Sequence, residues 1–395
     1  MPSEENQAIR LVYQPVLRVA GEVIEGEVHL HFPSLMKDRV EEVHVKLRGS
    51  VYTKLTRQYG QTTQVRQQRV HLAMANISLW TMGNGVYPPP DSDVLKIPFT
   101  FTLPTRLYPS CEYGSYGAKI ARIRYFVETV GKRPGIWRFN ERLVRAFPVL
   151  PPSDLGAELR EAFQRGWQGP WCKIVKENDI RRGVWGEHSH VQMTLTLPEV
   201  KTLPVFVPIP FTLTVITHSK SMKRDDKPSD EPIFPAPPQE PQEVDFFLES
   251  DVWIKAKSWD AIRHGDFTAQ LGGLGPQKLS PIDPVRVEAS EKVWIPVDEK
   301  SEKGRWMQEV TFKSSIRLSC APSFSSETMM LSYKMKLKVD FPGIGNSLKA
   351  EIPVQIVSSM YPPGQRSWDG PPPEFDLPPN YFQGDWDEDT KDEKD

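Results

Sequence analysis

Residues 120–130 read Ile-Ala-Arg-Ile-Arg-Tyr-Phe-Val-Glu-Thr-Val, and this stretch decides the fold. Ile123, Tyr125, Val127 and Thr129 lie two residues apart, and arginine, phenylalanine and glutamate fill the positions between them. Because successive side chains of a β-strand point to opposite faces, a period of two predicts a strand here.

The same alternation continues toward the N-terminus. Glu25–Phe32, Val43–Leu47 and residues 94–103 each alternate apolar with polar side chains, and glycine or proline separates the runs. No helical period longer than two turns occurs before residue 154. Many short strands with turn residues between them are typical of a β-sandwich, which we predict over residues 1–150.

A proline-containing connector follows, and strand patterns resume after it. In residues 151–170, prolines bar a central strand, and Ser153 or Asp154 is a candidate cap for a short helix. Strand patterns resume after this connector, most clearly in Tyr333–Phe341, where apolar residues alternate with lysines. We therefore predict a second β-sandwich over residues 171–357.

Two segments lack an apolar pattern. Residues 220–243 are rich in proline and charge, and residues 358–395 are proline-rich and end in an acidic run. Segments that bury little apolar surface do not offset their ordering entropy. The sequence therefore predicts a mobile insertion at 220–243 and a disordered tail from 358 onward.

Composition narrows the function classes. The net charge is −2, which gives no support for nucleic acid as a partner. The three cysteines are far apart, which suits a reducing compartment rather than a disulfide framework. The acidic N-terminus has no apolar segment of a signal peptide, and no apolar run is long enough to span a bilayer. We expect a soluble cytoplasmic protein.

One short motif in the tail indicates a partner. Residues 377–382 read Leu-Pro-Pro-Asn-Tyr-Phe, which contains the Pro-Pro-x-Tyr pattern that WW domains bind. Adjacent prolines favour the extended polyproline II conformation, and a tyrosine ring suits a shallow groove with one polar contact. We predict that Leu377, Pro378, Pro379 and Tyr381 form a WW-domain-binding site in an accessible tail.

The order of these features resembles a known family. The sequence Ile97-Pro-Phe-Thr-Phe-Thr-Leu-Pro104 is similar to a proline-bounded strand of the α-arrestins, and residues 123–134 are similar to their Ile-x-Tyr-x-Val strand and Arg-Pro turn. Pro322-Ser-Phe324 and Ile352-Pro-Val354 resemble the closing strands of an arrestin C-domain. The resemblance implies an all-β protein of two consecutive immunoglobulin-like, arrestin-type β-sandwiches with a disordered C-terminal tail.

The resemblance also implies a function. The α-arrestins are adaptors that bind membrane transporters or receptors and use Pro-Pro-x-Tyr to recruit HECT ubiquitin ligases with WW domains. Ubiquitin is then attached to the cargo, which is sorted inward. On this basis the expected partners are the ligase, ubiquitin and membrane-protein cargo, and the expected location is the cytoplasm with recruitment to the plasma membrane or endosomes.

Two further interaction sites follow from the residues. Pro372-Pro373-Glu374-Phe375 repeats the motif with phenylalanine in place of tyrosine, which predicts a weaker second register. Basic side chains also cluster between residues 119 and 145. They form either a solvated strand face or an anionic docking patch for an acidic cargo segment or the membrane surface, with candidates Arg122, Arg124, Lys132 and Arg133.

The sequence gives little support for a metal site, a catalytic site or a cofactor. His29 with His31, and His188 with His190, place two imidazoles on one strand face, but no cysteine or carboxylate at ligand spacing completes a metal site. No nucleophile or nucleotide motif is present in the sequence, so we expect neither catalysis nor a cofactor. The alternative to a ligase adaptor is a structural scaffold of arrestin-like fold, such as a retromer-type coat subunit.

Overall fold

The structure is a computed structural model of the 395-residue chain. It describes residues 7–114, 117–134, 140–181, 188–226, 232–271, 278–279, 284–298, 302–343, 345–365, 368 and 373–383. The helices, strands and contacts of the structure are those of these residues.

The N-terminal part of the chain contains ten strands and one short helix. In chain order they are β1 (Ile9–Val12), β2 (Arg18–Val19), β3 (Val23–His31), α1 (Phe32–Asp38), β4 (Glu42–Tyr59), β5 (Thr62–Thr81), β6 (Val94–Thr102), β7 (Cys111–Tyr113), β8 (Lys119–Lys132), β9 (Glu141–Phe147) and β10 (Val149–Leu150).

Two antiparallel sheets face each other across the first core. One has the strand order β1-β3-β6, and the other has the order β5-β4-β8-β7 with β9 paired to β8. β10 and β2 form a small parallel pair. The two sheets enclose apolar residues such as Val28, Leu30 and Val127, so the alternation in the sequence marks the inner faces correctly.

β8 is the central element of this sandwich. It pairs with β4, β7 and β9, and its residues from Ile120 to Gly131 are buried on both faces. Gly49 pairs with Tyr125, and a Cβ at Gly49 would lie 2.5 Å from a ring carbon of that tyrosine. Glycine is therefore required at position 49 for the ring to lie across β4.

A helix connects the two halves of the chain. α2 (Asp154–Gln164) begins after Ser153, whose side-chain oxygen accepts a hydrogen bond from the Gly156 backbone N–H at 3.1 Å. This is an ordinary N-cap, and it lies where the sequence predicts one. The helix buries Ala157 and Phe163.

The second half of the chain contains fifteen strands among the described residues. They are β11 (Trp171–Arg181), β12 (His188–Pro198), β13 (Leu203–Pro204), β14 (Ile209–His218), β15 (Met222–Lys223), β16 (Val244–Ala256), β17 (Trp259–Leu271), β18 (Lys278–Leu279), β19 (Arg286–Ala289), β20 (Val293–Pro296), β21 (Lys303–Ile316), β22 (Phe324–Ser325), β23 (Met329–Asp340), β24 (Ser347–Val354) and β25 (Ile356–Val357).

These strands form a second sandwich. One sheet has the order β11-β12-β14-β21-β15, with β19 and β20 also paired to β21, and the other has the order β18-β17-β16-β23-β22, with β24 paired to β23. Phe211 and Phe246 meet between the sheets, with ring centroids 5.3 Å apart. The prediction of an all-β chain with two consecutive sandwiches is therefore confirmed.

The two sandwiches touch along β4 and the β16–β17 hairpin. The Thr53 hydroxyl donates to the Lys255 carbonyl oxygen at 2.6 Å, and the Arg57 guanidinium lies 4.6 Å from the ring centre of Trp259. Contacts of this kind fix two domains relative to each other more firmly than a flexible linker does.

The described part of the insertion contacts the second sandwich. Ile233 is buried, and the Ser189 hydroxyl donates to the Phe234 carbonyl oxygen at 3.2 Å. A few apolar side chains thus attach residues 232–243 to the sheet, while the mobility of the insertion stays a prediction. Residues 227–231 lie outside the described residues.

The tail also departs from the expectation of disorder. The backbone N–H of Ser153 donates to the Met360 carbonyl at 2.8 Å, and Arg160 donates to the Ser359 carbonyl at 2.9 Å, so α2 covers the start of the tail. Further on, α3 (Asn380–Gln383) forms a short helical turn against the first sandwich. The prediction of a disordered tail is thus corrected for its described residues, while residues 384–395 lie outside them.

Candidate functional site

The Pro-Pro-x-Tyr motif lies in a cleft of the first sandwich. Tyr381 is fully buried, Leu377 and Pro378 are partly buried, and Pro379 is exposed. We call the surrounding residues Ser110, Glu112, Arg124, Phe126, Ala146 and Phe147 the tyrosine cleft. The motif was expected to be accessible, and the structure places its tyrosine in the protein interior instead.

The tyrosine hydroxyl closes a complete set of hydrogen bonds. It donates to the Phe147 carbonyl oxygen at 2.8 Å and lies 2.8 Å from the Ser110 hydroxyl and 3.3 Å from the Tyr125 backbone nitrogen. Ser110 Oγ itself accepts from the Val149 backbone N–H at 2.8 Å, so the serine has its proton free to donate to the tyrosine. A phenol has one donor and two acceptor positions, and all three are used here.

The hydrogen bonds of the Tyr381 hydroxyl connect two neighbouring strands, because Tyr125 lies on β8 and Phe147 lies on β9. They are partners in the register of β8 and β9. The hydroxyl of Tyr381 accepts from one and donates to the other, so it joins the two strands at the end of their pairing. A tail residue thereby completes the backbone hydrogen bonding of the sheet.

An ion pair forms the polar side of the cleft. The Arg124 Nη2 and Nε atoms lie 2.6 Å and 2.9 Å from Glu112 Oε2, and both side chains are at most 3 % exposed. The same Nη2 donates to the Asn380 carbonyl oxygen at 2.8 Å. Arg124 therefore connects the buried carboxylate with the backbone of the tail.

Apolar contacts form the other side. Phe126 and Ala146 pack against the Tyr381 ring, and Val144 and Leu377 cover them at the rim. Burial raises the pKa of Tyr381 above its ordinary value, although the hydrogen bond from Ser110 opposes the shift. The phenol is therefore neutral at physiological pH and can donate to Phe147.

The conformation of the motif also differs from the prediction. The Tyr381 backbone N–H donates to the Pro378 carbonyl at 2.8 Å, and Gln383 donates to Pro379 at 3.1 Å. These bonds close a helical turn, whereas polyproline II has no internal hydrogen bonds. In the docked state the motif is bent rather than extended.

The second register has a packing role in the structure. Phe375 lies edge-to-face with Phe206 at 6.2 Å between centroids, and the backbone N–H of Asp376 donates to the Ser319 carbonyl at 2.8 Å. Pro373 is described and partly buried, whereas Pro372 lies outside the described residues. WW binding by this register remains a prediction.

Burial corrects both interpretations of the basic cluster, a solvated face and an anionic docking patch, for Arg122 and Arg124, whereas docking by the partly exposed Lys132 and Arg133 stays a prediction. Arg122 is buried with its guanidinium 4.4 Å from the ring centre of Tyr52, and Arg124 is buried in the tyrosine cleft. Arg133 lies 3.1 Å from Glu141, and Lys132 lies 3.5 Å from Glu42. Arg124 and Lys132 of β8, and Arg133 directly after it, are therefore paired with carboxylates from other strands, which a count along one strand does not reveal.

The histidine pairs have protein partners. His29 Nε2 lies 2.8 Å from Glu27 Oε2, and His31 Nδ1 lies 2.8 Å from the Ser34 hydroxyl. His188 lies against Arg181, with 2.9 Å between their nitrogens. These imidazoles contribute to the polar faces of the strands.

The structure brings together three potential metal ligands that the sequence does not indicate as a site. Glu249, Asp251 and His264 come together on β16 and β17, which are antiparallel partners. Lys336 forms an ion pair with Glu249, and Lys334 lies 2.7 Å from Asp251. Ammonium groups at both carboxylates favour a salt-bridge network over a metal site.

We expect His218 to make the stability of the second sandwich depend on pH. Burial lowers the pKa of His218, and nearby His190 and Arg305 lower it further. Protonation then favours the unfolded chain from about pH 6.5 downward, so stability falls as the pH falls through that window. We expect the urea midpoint of His218→Gln to drop less between pH 7.5 and 5.5 than that of the wild type. The exposed His71→Gln variant should behave as the wild type, and equal drops in all three proteins would contradict this assignment.

Comparison with known families agrees with the fold. The sequence model for the arrestin (or S-antigen) N-terminal domain matches residues 13–156, which run from just before β2 into the start of α2. Residues 13–156 therefore form an arrestin N-terminal domain. The match is consistent with the α-arrestin branch. The arrestin domain that it covers also supplies every residue of the tyrosine cleft. A comparison with curated proteins gave no match.

Two general points concern the arrestin family and membrane-spanning helices. Arrestin-family proteins are non-enzymatic adaptors and scaffolds, and the expectation that this chain is not an enzyme stays a prediction. Within the described residues, no helix has both the length and the apolar character needed to cross a membrane.

The sequence contained one signal for the cleft that the predictions missed. Phe126 shares a strand face with Arg122, Arg124 and Glu128. A large aromatic residue in the middle of a charged strand face is usually buried by another apolar group, and a tyrosine from the tail can bury it. Ser110, Glu112 and Phe147 carry no such signal, since their roles arise only when β7, β8 and β9 come together.

Proposed function

We propose that this protein is an adaptor of the α-arrestin type. Its two sandwiches would bind a membrane transporter or receptor, and its Pro-Pro-x-Tyr motif would recruit a HECT ubiquitin ligase through a WW domain. The observation that supports the proposal is the combination of an arrestin N-terminal domain with a Leu-Pro-Pro-Asn-Tyr motif in the same chain. Ubiquitin transfer to the cargo and its endocytic sorting would follow.

The expected affinity sets a requirement on this mechanism. A single short peptide in a shallow groove reaches about micromolar affinity, or about −8 kcal/mol. Recruitment at ordinary concentrations then needs avidity, which clustered cargo or several adaptor copies would provide. The adaptor would therefore act mainly where cargo has already gathered it on a membrane.

Pro379 offers a clean test, because it belongs to the motif and is exposed in the structure. We expect Pro379→Ala to reduce co-purification of a WW-domain ligase from cells, and ubiquitylation of the adaptor, by about tenfold. Tyr381→Ala should do the same, but it also removes a buried ring from the first sandwich.

Pro363 is the matched control, since it is an exposed proline of the same tail outside the motif. Pro363→Ala should leave ligase co-purification unchanged. Equal ligase recovery with wild type and Pro379→Ala would show that the ligase arm of the proposal is wrong.

A second candidate function is a structural scaffold that recruits no ligase. The observation in its favour is the burial of Tyr381, whose hydroxyl completes the β8–β9 pairing. On this alternative the tyrosine is only an anchor for the tail. The same pair of proline variants separates the two functions, because a scaffold would lose nothing when Pro379 is replaced.

A further inference from the structure

The docked motif and a WW-bound motif are mutually exclusive. We propose that the tyrosine cleft is a binding site for the Pro-Pro-x-Tyr turn of this chain's own tail, and that its occupation withholds the motif from WW domains. The proposal rests on the proposed function, since a motif is withheld only if a WW domain binds it. It adds a regulated step: the tail must leave the cleft before a ligase is recruited.

Burial is the first reason for exclusion. The Tyr381 ring is enclosed by Phe126 and Ala146, and its hydroxyl is held by Ser110 and Phe147. A WW groove would need to contact the same ring. Both surfaces cannot cover one side chain at the same time.

Backbone shape is the second reason. In the cleft, the Tyr381 N–H bonds to the Pro378 carbonyl, and Arg124 holds the Asn380 carbonyl at 2.8 Å. WW domains bind polyproline II, which is extended and lacks internal hydrogen bonds. The turn must therefore unwind as well as detach.

The cleft has the properties of a built site rather than a chance contact. Ser110 is fully buried, and its hydroxyl is oriented by the Val149 N–H so that its proton faces the phenol. Glu112 fixes the Arg124 guanidinium through two bonds to one carboxylate oxygen. These groups are arranged by the first sandwich itself, and the tail adds the tyrosine, one carbonyl and the Leu377 side chain at the rim.

The fraction of molecules with a released tail determines how strongly the cleft weakens WW binding. When only a fraction of the molecules has a released tail, the apparent dissociation constant rises by the inverse of that fraction. A tail that is released about one tenth of the time therefore weakens WW binding about tenfold. A micromolar interaction would become too weak to matter in the absence of a releasing partner.

The test compares the whole chain with its own motif. A WW domain that binds Pro-Pro-x-Tyr peptides is titrated with a synthetic peptide of residues 370–386, with the full wild-type chain and with the full chain carrying Ala146→Lys. Ala146 packs against the Tyr381 ring, so a lysine there occupies the ring's place while its ammonium reaches solvent. We expect the wild-type chain to bind at least tenfold more weakly than the peptide, and Ala146→Lys to bind within threefold of it.

Two further variants keep the result interpretable. Ala118 is exposed on the same domain, and Ala118→Lys should bind like the wild type. Ser110→Ala removes one hydroxyl from the cleft, and it should strengthen WW binding about threefold even if Ala146→Lys fails to fold. Amide hydrogen exchange of residues 377–383 should rise in both cleft variants, which reports release without any WW domain.

The outcomes separate this inference from the proposed function. If the peptide does not bind the WW domain, both the proposed recruitment of a ligase and the proposed withholding of the motif are wrong. A peptide that binds with the same affinity as the wild-type chain would overturn the withheld motif alone. Ala146→Lys with rapid exchange of the tail but unchanged WW binding would also overturn it.

Discussion

Replacing Glu112 with alanine should lower the free energy of unfolding of the first sandwich by about 3–5 kcal/mol. Glu112 and Arg124 are both buried, and two of the arginine nitrogens bond to the same carboxylate oxygen. A guanidinium stays charged at any accessible pH, so the variant leaves a buried charge without its carboxylate. Urea unfolding followed by a probe in the first sandwich measures the loss.

Two controls identify the cause. The double variant Glu112→Ala with Arg124→Leu removes both charges, and it should recover much of the stability lost in the single variant. Glu302→Ala removes the carboxylate of an exposed pair with Lys223 and should change little. A Glu112→Ala midpoint that matches the wild type would mean that the pair is solvated rather than buried.

This buried pair also shows where sequence patterns lose information. The alternation in residues 120–130 predicts β8 and its inner face correctly, because a period of two depends only on neighbouring residues. The outer face was interpreted as basic surface. The carboxylates that neutralise Arg124 and the nearby Arg133 are Glu112 and Glu141, which come from β7 and β9, and no local count of charge contains their positions.

The tail illustrates a second limit. Its low apolar content predicts disorder, because average burial would not offset the entropy of ordering. Three widely spaced aromatic residues change the outcome: Trp368 and Phe375 contact Phe206, and Tyr381 enters the cleft. Composition averages over a segment, whereas docking depends on a few anchors that fit sites made by residues more than 150 positions away.

The sequence therefore shows the Pro-Pro-x-Tyr pattern correctly, but it does not show that the tyrosine of the motif is buried. Pro-Pro-x-Tyr is visible in the sequence because it is local. Its burial depends on Ser110, which is 271 residues away from Tyr381 in the chain. Long-range contacts of this kind decide whether a motif is available to a partner.

Where α2 meets the start of the tail, an ordinary helix rule is reversed. Gly156 lies in the first turn of α2, and glycine to alanine within a helix usually stabilises by about 0.5–1 kcal/mol. A Cβ at Gly156 would lie within 2 Å of the Ser358 carbonyl oxygen, which is backbone and cannot rotate away. We expect Gly156→Ala to destabilise the protein by about 1–3 kcal/mol, measured by urea unfolding.

Hydrogen exchange locates the effect. Ser153 and Arg160 bond to the Met360 and Ser359 carbonyls, so pushing α2 outward should speed amide exchange in residues 357–361. The neighbouring Leu155→Ala, at an exposed position of the same helical turn, should leave that exchange unchanged. Stabilisation by Gly156→Ala would contradict the close approach. Faster exchange at 357–361 with continued protection at 377–383 would mean that the tail has two independent anchors, of which only the second controls the motif.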